Sequence, residues 1–317
     1  MKRRRFLQTS LVLPWFPLSL SACGRTPISV GLHPWPGYDS LLLARHFGWL
    51  GQEIQLSESS NAGESIAGLQ DGRLHAACLT LDEALSVRAS GVPLTVLLVM
   101  SESVGATAVL ARPDIRHPKE LKGKRLAVEL SAVGALVLQK MLAEAGLSQA
   151  DLELVDAPPD KHLALWQAGE IDAAITYSPF SSLLKRHGAN ILFDSRQFPN
   201  TIFDVLAVRQ DGIAKRGKTL RLLTQAHFRA LRHLRLNRED AMRRIAAWHH
   251  LSYEEVQVNF AGLRLPDSNE NRHLLKAEGQ LILAARHLSS LMRESDRLTA
   301  PDLLKDLVSN QYLPEES

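Results

Sequence analysis

Leu69-Gln70-Asp71-Gly72-Arg73-Leu74-His75-Ala76-Ala77 and Trp166-Gln167-Ala168-Gly169-Glu170-Ile171-Asp172-Ala173-Ala174 are two copies of one pattern. In each, an apolar residue and a glutamine lead to a glycine, then to a paired alanine. Gly72 and Gly169 lie 97 residues apart, and the same interval separates Leu110-Ala111-Arg112-Pro113-Asp114 from Ala207-Val208-Arg209-Gln210-Asp211. Ile28–Leu32 matches Leu126–Leu130 at an offset of 98. Three matches in the same order predict two α/β bodies of like build with a ligand crevice between them. Each glycine pattern is read as a ligand loop following a strand.

The first residues stand outside this plan. Lys2, Arg3, Arg4 and Arg5 precede an apolar stretch, 11–20, that Pro14 and Pro17 interrupt and that is too short for a bilayer, which takes about 20 residues. This is the layout of a secretory signal. Leu20-Ser21-Ala22-Cys23 resembles a bacterial lipobox, which implies cleavage before Cys23 and a lipid on its sulfur; Arg3-Arg4-Arg5-Phe6-Leu7 resembles a twin-arginine export signal. Removing residues 1–22 takes away four basic and no acidic side chains, so the formal net charge falls from +3 to −1. A chain so nearly neutral gives no electrostatic reason for nucleic-acid binding. With Cys23 lipidated, Cys78 has no disulfide partner and reads as a small core residue. The expectation is an extracytoplasmic, membrane-anchored monomer.

From Ile28 to about Asp211 short apolar runs alternate with amphipathic stretches, which predicts βαβ units and mainly parallel sheets. Strands are placed at 28–32, 54–56, 76–79, 94–99, 125–128, 153–155, 173–176 and 191–193. The helix at 133–145 has Val133, Leu136, Val137 and Met141 on one face, and Gly146 placed to end it in a left-handed turn. Past about Ile213 the strand signal stops and helical patterns follow. Asn237 is placed to cap a helix through Trp248, Ser252 with Glu255 forms a capping box, a long helix runs from about Asn271 to Arg293, and Thr299 with Pro301 and Asp302 opens another. Because the chain returns through Val205–Arg209, this tail is assigned to the first body. Ala108–Arg112 and Val205–Arg209 are read as two hinge strands. The division is then a signal peptide at 1–22, a discontinuous lobe I at 23–110 and 208–317, and lobe II at 111–207.

Ligands of open parallel sheets bind beyond the carboxyl ends of the strands, where helix N-termini also point. Five loops satisfy this: 35–38, 59–63, 80–83, 131–134 and 177–179. Asn61, Thr80, Ser131 and Ser178 are placed to cap the helices that four of them open, and free N–H groups there suit a negative or polar group. Thr80 with Glu83 and Asn61 with Glu64 have capping-box spacing, which satisfies the same N–H groups internally. Trp35, Tyr38 and Tyr177 are candidate pocket walls. Ala62, Leu81 and Val133 lie beside the caps, and Asp82, Glu83 and Asp204 are the nearby charges. None of the five loops carries Lys or Arg, so the ligand's charge stays open. No G-x-S-x-G, H-E-x-x-H, C-x-x-C or G-x-x-x-x-G-K-[ST] motif occurs, and the 12 histidines are scattered, so no catalytic residue, cofactor or metal is expected. Arg229, Arg232, Arg235 and Arg238 read as a solvated helix face.

Four stretches carry a family resemblance: Pro34-Trp35-Pro36-Gly37-Tyr38 with Leu43-Ala44-Arg45 and Phe47-Gly48, Thr80–Leu85, Leu121–Arg125, and Gly169–Pro179. They resemble the substrate-binding proteins of ABC importers for nitrate, taurine, alkanesulfonates and thiamine-pyrimidine precursors. The resemblance implies a two-lobed type II periplasmic binding fold that closes on a small solute and delivers it to a membrane permease. It places Trp35, Tyr38, Asn61, Thr80, Leu81, Ser131 and Tyr177 around the ligand, and it departs at Ser178, where family members carry Glu. A sensory module for a membrane protein and a pyrimidine-precursor synthase are the alternatives on the same fold.

Overall fold

The computed structural model of the chain describes residues 27–294, 298 and 304–315. The expected signal peptide at 1–22, the expected lipidation site Cys23 and the expected helix start at Thr299 lie outside the described residues. Among these, the strands are β1 (Ile28–Leu32), β2 (Ile54–Glu58), β3 (Ala76–Thr80), β4 (Leu94–Ser103), β5 (Thr107–Ala111), β6 (Arg125–Val128), β7 (Glu153–Asp156), β8 (Ala173–Tyr177), β9 (Asn190–Asp194), β10 (Phe203–Arg209) and β11 (Leu263–Arg264). The helices are α1 (Asp39–His46), α2 (Ala62–Gln70), α3 (Leu81–Ala89), α4 (Val133–Ala145), α5 (Pro159–Gln167), α6 (Phe180–Arg186), α7 (Gln210–Leu236), α8 (Arg238–His249), α9 (Tyr253–Ala261), α10 (Ser268–Leu274) and α11 (Gln280–Glu294).

The strands form two sheets, in the orders β2-β1-β3-β10-β4-β11 and β7-β6-β8-β5-β9. The first five positions of one correspond to the five of the other, so the sequence repeat is a repeat of topology. Its register is reproduced too: Ala77 faces Ala207 as Ala174 faces Leu110. The weaker match shifts, because Val30 pairs with Ala76 as Leu126 pairs with Ala173, an offset of 96. That differs from the sequence alignment by two residues, which leaves every side chain on its expected face.

Three expectations change. The glycine patterns do not follow strands; they join α2 to β3 and α5 to β8, at the sheet ends remote from the crevice. Gly72 and Gly169 turn the chain there at φ of 81° and 70°, which glycine adopts without the Cβ penalty. The sheets are mixed, with β10 antiparallel between β3 and β4 and β5 antiparallel between β8 and β9. Two crossings exist: the segments 108–112 and 205–209, expected as hinge strands, overlap the inner strands β5 and β10, and the chain passes between the sheets at 104–106 and 195–202.

The repeated arginines show what the duplicated motif does. The Arg209 backbone N–H donates to His75 O at 2.9 Å and its Nη1 to Leu69 O at 2.5 Å. Arg112 does the same with Asp172 O at 3.0 Å and, through Nη2, with Trp166 O at 2.9 Å. Each guanidinium satisfies a carbonyl at a helix C-terminus, where backbone acceptors otherwise lack partners and a cation is favoured.

α4 ends at Gly146 with φ 65°, and Ser252 and Glu255 form their capping box, both as expected. The tail packs on the first sheet's helices, α7 against α1 and α11 against α3. The long helix at 271–293 is instead two, because Asp267 caps α10 early and Gly279 sits where a Cβ would lie 2.6 Å from Leu274 O. Cys78 is fully buried in the core.

Leu206 lies in an inner strand and is fully buried. Leu206→Ala is therefore expected to lower the unfolding free energy by about 2–5 kcal/mol in urea titration, against little change for exposed Leu283→Ala. Arg112→Ala and Arg209→Ala should each cost about 1.5–3 kcal/mol in the same assay, by similar amounts because the clamps are equivalent.

Candidate functional site

The loops beyond β1, β2, β3, β6 and β8 meet in a buried cleft between the sheets. Trp35 meets Tyr177 edge-on, with ring centroids 5.6 Å apart, and His33 lies 5.2 Å from Tyr38 and 6.0 Å from Tyr177. The turn 36–38 holds two of these rings in place. Gly37 is required inside it, since a Cβ would fall 2.1 Å from Ser101 Oγ. Trp35 Nε1 donates to Ser101 Oγ at 3.1 Å, and Ser101 Oγ donates to Asp204 Oδ2 at 2.6 Å. Tyr38 OH donates to Asp204 Oδ1 at 3.4 Å. One carboxylate at the start of β10 thus positions both aromatic walls.

Across the cleft, Glu83 ties the sheets together. Its Oε2 accepts from Thr80 N at 2.9 Å and its Oε1 from Val133 N at 3.2 Å, the first helical residue of α4. A negative group at that helix start is the one the macrodipole favours. The carboxylate is supplied by the protein. Glu129, directly after β6, lies beside Gly63 of the other body, whose backbone N–H favours its charge. Farther out, Arg186 of α6 forms a two-pronged ion pair with Glu255 of α9, at 2.5 Å, and Ser182 Oγ donates to Asn259 Oδ1 at 3.0 Å.

The sequence-expected residues divide. Trp35, Tyr38, Thr80, Asp82, Tyr177 and Asp204 are brought together and buried. Asn61 caps α2 by accepting from Glu64 N at 3.2 Å, which uses the N–H expected to face a ligand. Ala62, Leu81 and Val133 are buried apolar residues, the last two in the main core cluster. Ser131 is exposed and does not cap α4, whose cap position is Ala132. Ser178 does not cap α6 either; its hydroxyl lies 3.3 Å from that of Ser181. Ser101, Glu129 and His33 were not among the sequence candidates. A carboxylate or histidine ending an apolar strand is a legible signal for the last two. Ser101 sits inside β4 and gives none.

Burial dominates the titration of this cleft. It pushes Asp204 up to about 7 against the opposing hydrogen bonds from Ser101 and Tyr38 and the nearby Trp35 N–H, with Asp82 adding to the rise. It pushes Glu129 up to about 7, against the Gly63 N–H and with help from Asp160 and Asp156. Glu83 rises as well, through burial and then the neighbouring Asp82 and Glu129 charges. Burial raises the Tyr38 and Tyr177 hydroxyls and lowers His33 to about 4, so that ring is neutral at pH 7. Thr80 and Glu83 form the expected capping box, and the Tyr177 and Glu129 side chains each hold a buried oxygen with no partner in the protein.

Beside the cleft, on the first sheet's side alone, lies a cavity of about 390 Å³ bordered by His33, Trp35, Tyr38, Arg45 and Trp248. Its floor carries the Asp39–His249 pair at 2.7 Å. Burial works against the His249 cation, and the Asp39 charge and hydrogen bond outweigh it. Among the described residues no group of three or more His, Cys, Asp or Glu is placed to hold a metal ion.

The taurine-binding periplasmic protein of Escherichia coli is 30% identical over 146 residues, 45% of each chain. A putative binding protein of Brucella abortus is 28% identical over 192 residues, 59% of each. The chain spans about half the length of the curated relatives it matches. Among solved structures, the alkanesulfonate-binding protein SsuA of Xanthomonas axonopodis pv. citri superposes with a TM-score of 0.75 at 19% identity, covering 90% of this chain and 99% of that one. The desulfurization enzyme DSZB shares the fold at a TM-score of 0.66 and 18% identity, over 91% of this chain and 97% of that one. These superpositions establish the periplasmic-binding-protein fold. The profile of the NMT1-like family matches residues 21–250, and with more than half of the sequence so matched, the chain belongs to the NMT1-like family.

Proposed function

We infer that the chain is the extracytoplasmic solute receptor of an ABC import system, tethered through a lipid on Cys23, and that it performs no chemistry on its cargo. The observation that carries this reading is the cleft itself. Loops from two topologically equivalent sheets meet over an aromatic-walled, buried site, joined by Glu83 to Val133 and by Trp35 to Tyr177. Such sites are apolar with a few convergent polar groups. The named ligands of the relatives, taurine and alkanesulfonates, support a small organic solute, and those relatives are binding proteins.

In this reading the two bodies are lobes that rotate about the crossings at 104–106 and 195–202. Closure forms the cross-cleft contacts, and the Arg186–Glu255 pair latches the outer rim. Two spans between packed sheets suit a hinge movement in which a few connecting residues absorb the backbone change. A permease then reads the closed form, which displays both lobes in one fixed arrangement. No helix among the described residues is long and apolar enough to cross a membrane; in this reading the lipid on Cys23 supplies the anchor.

Two outcomes test this. Titration of the mature protein with its solute should shrink the radius of gyration in X-ray scattering and shift tryptophan emission; Trp35→Phe should remove most of the emission change, and Trp49→Phe should leave it. Scattering curves that never respond to any small solute, from well-folded protein, would sink the receptor reading. The second outcome concerns pH. Carboxyls with raised folded pKa values contribute stability that is complete below the unfolded value of about 4 and is lost as pH climbs through the folded values. With Glu129 and Asp204 at about 7, these two groups should lower the melting temperature of the solute-free protein between pH 5 and pH 8, against the opposite contribution of buried His33, His162 and His227, whose folded values lie below the usual 6.5. Asp204→Asn and Glu129→Gln should therefore make the melting temperature rise more, or fall less, with pH than in the unsubstituted protein; a pH dependence unchanged by both would contradict the burial of these groups.

A further inference from the structure

We propose that the solute is recognised through a positively charged nitrogen, an ammonium or amidinium group held by the carboxylates of the cleft, in contrast to the anionic groups of the sulfonate-binding relatives. This deepens the receptor reading above and rests on it. The first support is the charge inventory. The loop stretches that meet in the cleft, 33–39, 59–63, 80–83, 100–103, 129–134, 177–180 and 203–204, contain Asp39, Asp82, Glu83, Glu102, Glu129 and Asp204 and no Lys or Arg. Two of these are neutralised within the protein, Asp39 by His249 and Glu102 by Arg264 at 2.8 Å. Glu83, Glu129 and Asp204 have no ion-pair partner among the described residues.

The second support is independent of charge. The Tyr177 hydroxyl and Glu129 Oε2 are buried, with residue exposures of 5% and 6%, and have no hydrogen-bond partner in the protein. Buried polar atoms are almost always bonded, so two in one place mark a ligand's polar contacts. They belong to the same spot. Tyr177 packs against His33 and Trp35, and its strongest charged neighbours are Glu129, Glu83, Asp160 and Asp204.

The third support is the fate of the helix start that an anion would use. Val133 N, at the N-terminus of α4, is already taken by Glu83 Oε1. An anionic ligand would have to displace a carboxylate there and enter a field made by acids. A cation would instead supply the missing counter-charge, while Trp35, Tyr38 and Tyr177 offer ring faces that attract it. Buried carboxyls without a counter-charge keep their protons. Binding a permanent cation then releases protons near neutral pH, which an anion or a neutral solute does not.

The experiment is isothermal titration of the mature protein with n-butylammonium, 1,4-diaminobutane and 4-guanidinobutylamine, beside methanesulfonate, nitrate and taurine, in two buffers of different ionisation enthalpy. At least one amine should bind tenfold or more tighter than methanesulfonate, release protons, and bind more tightly as pH is raised from about 6 to about 8. Glu83→Gln and Asp204→Asn should each weaken that amine about tenfold or more and reduce the proton release, with melting curves confirming folded protein. Tightest binding of methanesulfonate or nitrate, or amine binding without proton release, overturns the cation proposal and leaves the receptor standing. Taurine as the sole tight ligand also overturns it, because the anionic end would then be required. Failure of all six to bind, with scattering unchanged by every one, removes both the proposal and the receptor reading.

Discussion

Everything in this molecule depends on two strands that are hydrogen-bonded on both edges in the sheet that the chain has just crossed into. β10 arrives from the second body and is stitched between β3 and β4; β5 arrives from the first and is stitched between β8 and β9. A strand so placed cannot leave without breaking two ladders, so each crossing is anchored at its far end. The spans that join the two bodies, 104–106 and 195–202, lie outside these ladders. The antiparallel entry also carries Asp204, the second residue of β10, to the cleft end of a sheet whose β1 and β3 deliver Trp35, Tyr38 and Thr80 to the same end.

That placement explains why the cleft is acidic and yet ordered. Asp204 is not a free charge; it organises Tyr38 and, through Ser101, Trp35. Glu83 likewise gathers backbone N–H groups from both sheets. Carboxylates serve here as structural acceptors whose remaining charge has no basic partner, and burial shifts that balance toward the protonated form.

The duplication has a different logic. Its most visible motif lies at the far ends of the sheets, where Arg112 and Arg209 close off helix termini and Gly72 and Gly169 turn the chain. The repeat persists because both bodies solve one packing problem, and the cleft residues differ between the halves because they do not share it. The capping pattern was a weaker guide. Asn61 and Ser252 cap as their spacing says, whereas Ser131 is exposed one residue before the Ala132 cap position of α4, whose first N–H is met by a residue 50 positions away.

The amino-acid sequence by itself determined the strand segments, the helix segments apart from the break within 271–293, the two-body plan, the burial of Cys78 and the packing of the tail on the first body, because these rest on periodicity and on turn residues that act over a few positions. It also pointed to Trp35, Tyr38, Tyr177 and Asp204, which lie at strand ends. Tertiary structure alone decided where the chain crosses between sheets, that the sheets are mixed, and that Ser101, Glu129 and His33 belong to the cleft. The physical reason is range. Trp35 to Ser101 spans 66 residues, Ser101 to Asp204 spans 103, and the desolvation that keeps protons on Glu129 and Asp204 comes from the closing of two sheets over them, which no local pattern encodes.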